Sequence, residues 1–277
     1  MSTISHHKKQ AWRWARVLRA ALAGCVALAF VGARARAAEP VTVLGYAVSI
    51  TVQGATASAY QGSKHYAPFP SVAVAFVRPE DYDLFGAPDD SPSATIVKFG
   101  NVSMGPAANF IPDRGDSHAL AGMRKIGWAG EGGGFVNWWV TPSFRVRAEA
   151  LKGLFSEDGL LVNTAADFVT QKGRFTLSAG PRLALADGNY NSTYFGVTAA
   201  EALTSKHYHA AYRPNAGPLS AGLATSLEYR WRDRWRLDLS ANYDRLLADA
   251  ANSPIVRVTG SANQYSVAGG VRFMLGR

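Results

Sequence analysis

The sequence predicts an all-β protein, an antiparallel transmembrane β-barrel of the outer-membrane kind occupying residues 39–277. Three observations predict it. Segments of about ten residues alternate apolar and polar side chains, tight and long connections alternate between them, and aromatic residues gather beside the tight connections.

The alternation is clearest in the C-terminal half. Phe144, Val146, Ala148 and Ala150 share one parity, with Arg145, Arg147 and Glu149 on the other. Phe175, Leu177, Ala179, Leu183 and Leu185 alternate with Thr176, Ser178, Gly180 and Arg182. Leu223, Leu227, Tyr229 and Trp231 alternate with Glu228 and Arg230, and Trp235, Leu237, Leu239 and Tyr243 with Arg236, Asp238 and Asp244. Tyr265, Val267, Val271 and Phe273 close the series. A period of two sends one set of side chains to each face of a strand. A soluble β-sandwich would alternate too, so the connections decide.

Residues 141–143, 171–173 and 232–234 are tight turns, whereas 187–216 and 248–263 are long. Outer-membrane barrels have short periplasmic turns and longer extracellular loops. Trp138, Trp139, Trp231, Trp235 and Phe273 fall beside the short turns, as a girdle at the periplasmic interface does. Counting back from the C-terminus places strands near 264–275, 235–247, 217–231, 174–186, 159–170, 144–154 and 133–140. Before these, 93–111 reads as one bent strand or two short ones, 72–78 as one strand and 43–54 as the first. Counting 93–111 as one makes ten strands, with twelve as the alternative, because bacterial barrels carry even numbers.

Residues 1–38 read as a cleaved signal peptide. Lys8, Lys9, Arg13, Arg16 and Arg19 precede an apolar run from Ala20 to Val31, and small residues alternate from Ala33 to Ala38. The run is shorter than the roughly 20 residues of a spanning helix. Leu22-Ala23-Gly24-Cys25 resembles a lipoprotein box, but Arg19 is close before it and apolar residues continue after it. This segment holds seven of the 29 basic residues and none of the 20 acidic ones, so residues 39–277 carry a net charge of +2. The basic balance of the whole chain is therefore no argument for a nucleic-acid partner. The only cysteine, Cys25, lies within the leader. Disulfides and thiolate chemistry are thus not expected in the exported protein.

Arg145, Arg147, Glu149, Arg182, Glu228, Arg230, Arg236 and Asp238 are expected to face the lumen. A ten-stranded barrel is narrow, and these side chains are long, which favours mutually paired charges filling the lumen over a solute-selecting constriction. His207 and His209 lack a third metal ligand at typical spacing, and no serine has an evident base beside it. No catalytic residue, metal or cofactor is therefore assigned, and the protein is read as a non-enzyme. Gly130 to Gly134 lacks the ending of a phosphate-binding loop and reads as barrel-rim glycine.

Several segments resemble the MipA/OmpV family of outer-membrane proteins. These are Tyr60-Gln61-Gly62-Ser63-Lys64-His65-Tyr66 running to Pro70, Gly180-Pro181-Arg182 through Asp187 and Tyr190 to Tyr194-Phe195-Gly196-Val197, and residues 245–256 with Gly260 to Gln264 including Asn263. The resemblance covers essentially all of residues 39–277. The loop residues Tyr60, Gly62, Ser63, Tyr66, Pro70, Asp187, Tyr190, Tyr194, Phe195, Gly196 and Asn263 carry it. Their aromatic members have two open readings, contact with a partner or packing of loops against the barrel mouth. The chain departs from such barrels in ending Met274-Leu275-Gly276-Arg277 after Phe273. The resemblance implies an outer-membrane location among lipid and a scaffold that links a murein lytic transglycosylase to a penicillin-binding protein. The alternatives are a narrow channel and a surface adhesin using loop 187–216. For a scaffold the short turns offer little surface, which directs a partner to the acidic 79–92 connection.

Overall fold

A computed structural model describes residues 47–77, 85–114 and 118–275. The leader expected at 1–38 lies outside these. Among the described residues the strands are β1 (Ala47–Ser58), β2 (Tyr66–Val77), β3 (Val97–Phe99), β4 (Val102–Ile111), β5 (Ala129–Thr141), β6 (Phe144–Phe155), β7 (Leu160–Lys172), β8 (Phe175–Ala186), β9 (Gly217–Arg232), β10 (Trp235–Leu246) and β11 (Asn263–Leu275). They form one antiparallel sheet in the order β2-β1-β11-β10-β9-β8-β7-β6-β5-β4-β3. Among the described residues the two edges touch at one parallel bridge, Phe76 to Ala94, without a continuous ladder.

The strand count is eleven in this sheet, against an expectation of ten or twelve. Of the two readings of 93–111, the structure shows two strands, because Gly100 adopts φ +56° and turns the chain between β3 and β4. Only glycine takes that conformation without steric cost. β3 is short, and Pro92 to Ile96 extends its course beside β4 through Ala108 N–H to the Pro92 carbonyl and Ile96 N–H to the Met104 carbonyl. β1 and β2 extend beyond the expected 43–54 and 72–78 toward the connection between them.

The wall is inverted relative to a soluble protein. Phe168 is 65% exposed and Leu223 61%, and Leu177, Leu183, Leu239, Val267 and Val271 are exposed with them. Arg145, Arg147, Glu149, Asp167 and Arg236 on the opposite face are buried. Each outward leucine left in water would forgo roughly 1.5–3 kcal/mol, so this surface calls for lipid. Cross-strand aromatic pairs rim it at the short-turn end. Phe144 and Phe168 are register partners with ring centroids 4.8 Å apart, Phe175 and Tyr229 likewise at 4.8 Å, and Trp235 and Phe273 at 4.7 Å. Trp138 and Trp231 are exposed on the same rim. A second rim lies at the long-loop end, with Tyr243 and Tyr265 paired at 5.0 Å and Phe110, Trp128 and Phe155 exposed. Trp235 and Tyr243 lie on one strand, which spaces the rims by about 20 Å along the normal of a tilted barrel, close to the height of a membrane-facing apolar band.

Trp139 is a correction. It was expected in the outer girdle but has the parity of Phe135 and Asn137, and it lines interior cavities beside Arg145, Arg147 and Arg236. Adjacent residues of a strand face opposite ways, so Trp138 and Trp139 cannot share a face.

Candidate functional site

Charges fill the interior, and part of the chain crosses it. On β6, β7 and β8 the inward positions are Arg145, Arg147, Glu149, Asp167 and Arg182. The arginines outnumber the wall acids available to them there, and the segment Phe85 to Ser93 supplies the difference. Arg145 donates through Nη1 to Asp90 Oδ2 at 2.6 Å and through Nη2 to Asp90 Oδ1 at 3.0 Å. Its Nε and Nη2 also donate to Asp167 Oδ2 at 3.1 and 2.6 Å, while the Phe85 ring lies 5.0 Å from its guanidinium carbon. Arg182 grips Asp89 in the same two-pronged way, at 2.6 and 3.0 Å, and reaches Asp167 Oδ1 at 2.9 Å. Arg147 pairs with Glu149 and lies 4.2 Å from the Phe135 ring centroid. Glu149 accepts from the Ser91 hydroxyl at 2.7 Å and Ser91 N–H at 3.2 Å, and Arg147 Nη2 donates to Ser93 Oγ at 3.3 Å. Two-pronged arginine–carboxylate pairs are the strong, geometrically specific kind.

The segment is thus a strap pinned to β6 and β8 of the wall. It corrects the expectation that the 79–92 connection is a free acidic loop on the periplasmic side. Its described part, 85–92, runs inside the barrel because the buried arginines need the charge of Asp89 and Asp90. A second cluster lies nearer the short turns, where Glu228 accepts from Arg236 at 2.8 Å and from Arg272 at 3.2 Å, and Arg272 reaches Asp238 at 3.3 Å. Arg272, on the last strand, was not among the expected lumen charges, although its parity against Val271 and Phe273 reveals it. Arg230 is the register partner of Arg236 and shares its face. Cavities flank the strap. One of about 210 Å³ is lined by Asn163, Ser220 and Asp244, and one of about 580 Å³, toward the short turns, by Phe85, Lys98, Trp139 and Arg236.

The long-loop end is closed by a folded cap that contains the main apolar core. α1 (Gly188–Phe195) starts at Asp187, whose side chain accepts from Tyr190 N–H at 2.8 Å. α2 (Ala199–Thr204) starts with a capping box, in which Thr198 accepts from Glu201 N–H while Glu201 Oε2 accepts from Thr198 N–H. α3 (Ala248–Asn252) and a π-helical turn (Ile255–Thr259) complete the cap. Tyr190, Tyr194 and Phe195 pack with Ile126, Leu246, Ala250 and Val256 in one cluster, and Val197, Tyr208 and Ile255 with Leu120 and Met123 in another. The Ser253 hydroxyl donates to the Phe195 carbonyl at 2.6 Å, Arg114 to the Tyr194 carbonyl at 3.0 Å, and Gln61 Nε2 to Tyr190 Oη at 2.7 Å.

Most of the loop residues that carried the resemblance therefore hold this cap together. Tyr60 packs against the second cluster. Gly62 adopts φ +87°, and a Cβ there would lie 2.7 Å from Val256 Cγ2. Ser63 is buried and bridges to Gly260, and Gly196 lies against the Ser192 carbonyl, which a Cβ would meet at 2.4 Å. Asn263 Oδ1 accepts from Tyr243 at 3.0 Å and Arg245 at 2.8 Å. Tyr66 and Pro70 stand apart on β2, Tyr66 exposed and Pro70 opposite Gly54. Of the two readings left open for Tyr190, Tyr194 and Phe195, loop packing is the one observed. The indole-free helices α1 and α2 were not legible as helices, since each is a turn or two long. His207 and His209 flank buried Tyr208, whose hydroxyl donates to the Ala119 carbonyl at 2.7 Å.

Two cap carboxylates differ in setting. Burial pushes the Glu201 carboxyl up, but the N–H groups of Thr198 and Arg124, the Thr198 hydroxyl and the Arg124 charge outweigh it and hold the group below the usual carboxylate range. Glu157, on the β6–β7 turn, is pushed up to about 7, by burial first and also by the Glu131 and Asp187 charges, against the Gly159 N–H. Burial, with the fields of Glu131 and Glu157, likewise raises the Tyr190 and Tyr194 hydroxyls.

An antiparallel sheet that is apolar outside, charged inside and rimmed by aromatics at both ends defines an outer-membrane β-barrel protein, here with a strapped lumen. Residues 50–275 match the family of MltA-interacting protein MipA, and the chain belongs to that family. Outer membrane protein OmpV of Vibrio cholerae serotype O1 is 41% identical over 86 residues, a match spanning 31% of this chain and 30% of the relative's length. Among solved structures, the NanC porin aligns at TM-score 0.42 and 11% identity over 81% of this chain and 98% of its own. An outer membrane channel from Pseudomonas putida F1 aligns at TM-score 0.42 and 8% identity over 87% of this chain and 99% of its own.

Proposed function

We propose that the protein is a non-catalytic interaction protein of the outer membrane, closed to free solute passage, serving as a scaffold between a murein lytic transglycosylase and a penicillin-binding protein. The observation that carries the closed lumen is the strap, in which Asp89 and Asp90 are gripped by Arg182 and Arg145 across the interior. The strap and wall charges pair with one another, Arg145 and Arg182 with Asp90, Asp89 and Asp167, and Arg147 with Glu149, which supports a filled lumen over a substrate-handling one. The family's description as MltA-interacting supports the scaffold role. The short turns alone offer far less than the roughly 800 Å² per partner of a stable interface. A partner would therefore engage the short-turn rim together with the mouth of the 580 Å³ cavity, where Lys98, Asn101, Trp139 and Gln171 are displayed. Loop 187–216, which an adhesin would extend, is spent in the cap core.

The test is paired. Refolded protein in planar bilayers is expected to be electrically silent, and the same protein in vesicles to retain a purified lytic transglycosylase in a manner weakened by Lys98→Glu with Gln171→Glu. Reproducible unitary steps from the wild type would refute the closed lumen. Retention indifferent to the rim substitutions would refute the scaffold surface.

A further inference from the structure

Beneath the cap, three strands place Asn109, Glu131 and Gly153 side by side as register partners on β4, β5 and β6. Gly153 has no side chain, and the carboxylate of Glu157 occupies its space: a Cβ on Gly153 would fall 2.2 Å from Glu157 Oε1. Neighbouring side-chain positions across an antiparallel pair are about 5 Å apart, so the two carboxylates lie next to one another. Glu131 is 1% exposed and Glu157 7%. Each has one oxygen satisfied, Glu131 Oε2 by Asn109 Nδ2 at 2.9 Å and Glu157 Oε2 by Gly159 N–H at 2.9 Å. The other oxygen of each is buried without a hydrogen-bond partner. The basic side chain whose field reaches Glu157 is Lys152, which is half exposed and engaged by Asp158.

The cap places a further unpartnered oxygen beside them. Tyr194 is 4% exposed, its hydroxyl has no hydrogen-bond partner, and it lies in the field of both carboxylates. Its ring stacks 4.8 Å from that of Tyr190, whose Cα would lie 2.5 Å from a Cβ on Gly159, so the β6–β7 turn carrying Glu157 packs directly on α1. Gln61, which donates to Tyr190, keeps its Oε1 buried and unpartnered. Two adjacent buried carboxylates without a close cationic partner carry a large desolvation and repulsion cost, which a bound cation removes.

We propose that Glu131 and Glu157 bind a hard divalent cation, Ca²⁺ in preference to Mg²⁺, at the seam between the barrel rim and the cap. The donors are all oxygen, which selects against soft metals, and their irregular placement suits the flexible coordination of Ca²⁺ better than the strict octahedron of Mg²⁺. The Tyr194 hydroxyl, unpartnered and in the field of both carboxylates, is the cap oxygen available to the shell, directly or through water. The ion would fasten α1 to β5 and the β6–β7 turn, making closure of the cap cation-dependent.

The experiment uses the full barrel refolded in detergent, stripped with a chelator at pH 8 and titrated with CaCl₂ or MgCl₂. Calorimetry is expected to show a single Ca²⁺ per chain, and proteolysis within 187–216 to slow in step with occupancy. At one hundred times Kd the opened fraction falls about a hundredfold. Glu157→Gln and Glu131→Gln, confirmed as folded by heat-modifiable migration, should lose both effects, and Glu201→Gln should keep them. A wild type that binds no ion overturns the proposal without reference to any variant. So does binding that survives in both glutamine variants. Cap protection that follows pH alone would mark a shared proton in place of the ion, and would also overturn it.

Discussion

Neutralising the strap by Asp89→Asn with Asp90→Asn is expected to turn a silent barrel into a conducting one. In the wild type Arg145, Arg147 and Arg182 face Asp89, Asp90, Asp167 and Glu149, and two of those four acids belong to the strap. Each substitution removes one partner of a two-pronged pair whose arginine is largely buried, a loss of about 3 kcal/mol or more. That charge is poorly compensated with the strap in place, whereas release of the strap lets water reach it. At about 1.4 kcal/mol per tenfold, loss of one pair raises the strap-free fraction roughly a hundredfold. The second adds less than another hundredfold, because Arg145 and Arg182 share Asp167 and the pairs are coupled.

The assay is single-channel recording with matched heat-modifiability gels. The double variant should show unitary steps at a frequency at least about a hundred times that of wild type. With three arginines left against two wall acids, its pore should prefer anions. A folded double variant as silent as wild type would refute the reasoning, since the strap would then be held by something other than its charges. Conductance equal in the two proteins would refute it from the other side.

Other outcomes follow from the same geometry. Phe195→Ala, at a fully buried cap position, should cost about 3–5 kcal/mol of cap stability, read as faster proteolysis in 187–216 while the strands stay heat-resistant. Leu239→Arg, on the lipid face in mid-strand, should cost about 2–4 kcal/mol in folding titrations into bilayers, and Phe273→Arg at the rim less. Because Glu201 is held below the usual carboxylate range, its contribution is fully present above the unfolded value near pH 4.3 and is lost as pH falls through the folded value. Cap protection should therefore drop in acid, and Glu201→Gln should flatten that drop. Gly159→Val should loosen the cap, since even its Cβ would collide with the Tyr190 backbone.

The wall was legible because its determinants are local. Parity along β6, β8, β9 and β10 alone separates lipid-facing Leu177 or Leu239 from inward Arg182 or Asp238, and turn length alone orients the barrel. What was not legible depended on partners distant in sequence. Asp89 and Asp90 read as a solvated acidic connection because nothing near them announces Arg145 and Arg182, which lie 55 and 93 residues away. Trp139 was misplaced because two adjacent tryptophans were counted together although their parities differ. The upper aromatic rim was missed because Tyr243 and Tyr265 sit beside long loops, where turn length gives no landmark. Glu131 gave no signal as a site, since its neighbour across the sheet is a glycine and the carboxylate beside it comes from the following turn.

The placement of the apolar core separates the work of the two ends. In a soluble domain the core holds the strands together. Here the strands are held by their ladders and the membrane, and most of the large fully buried apolar side chains, Tyr190, Phe195, Tyr208 and Ile255, gather in the cap, while Leu151 and Phe135 pack on the wall. Loss of cap packing therefore need not unfold the barrel, and release of the strap need not disturb the cap, because no residue of 85–93 belongs to either cap cluster. Opening the lumen fully requires both events. Two independent closures, each favoured by a few kcal/mol, multiply their equilibrium constants, so a barrel with one closure intact should remain nearly as impermeant as wild type to any solute larger than an ion. The strap-neutralised variant should accordingly pass ions that seep through the cap yet exclude oligosaccharides. Combining it with Phe195→Ala should admit them. Oligosaccharide entry into vesicles carrying the strap variant alone would show that the cap is no barrier, and the two-closure account would fall.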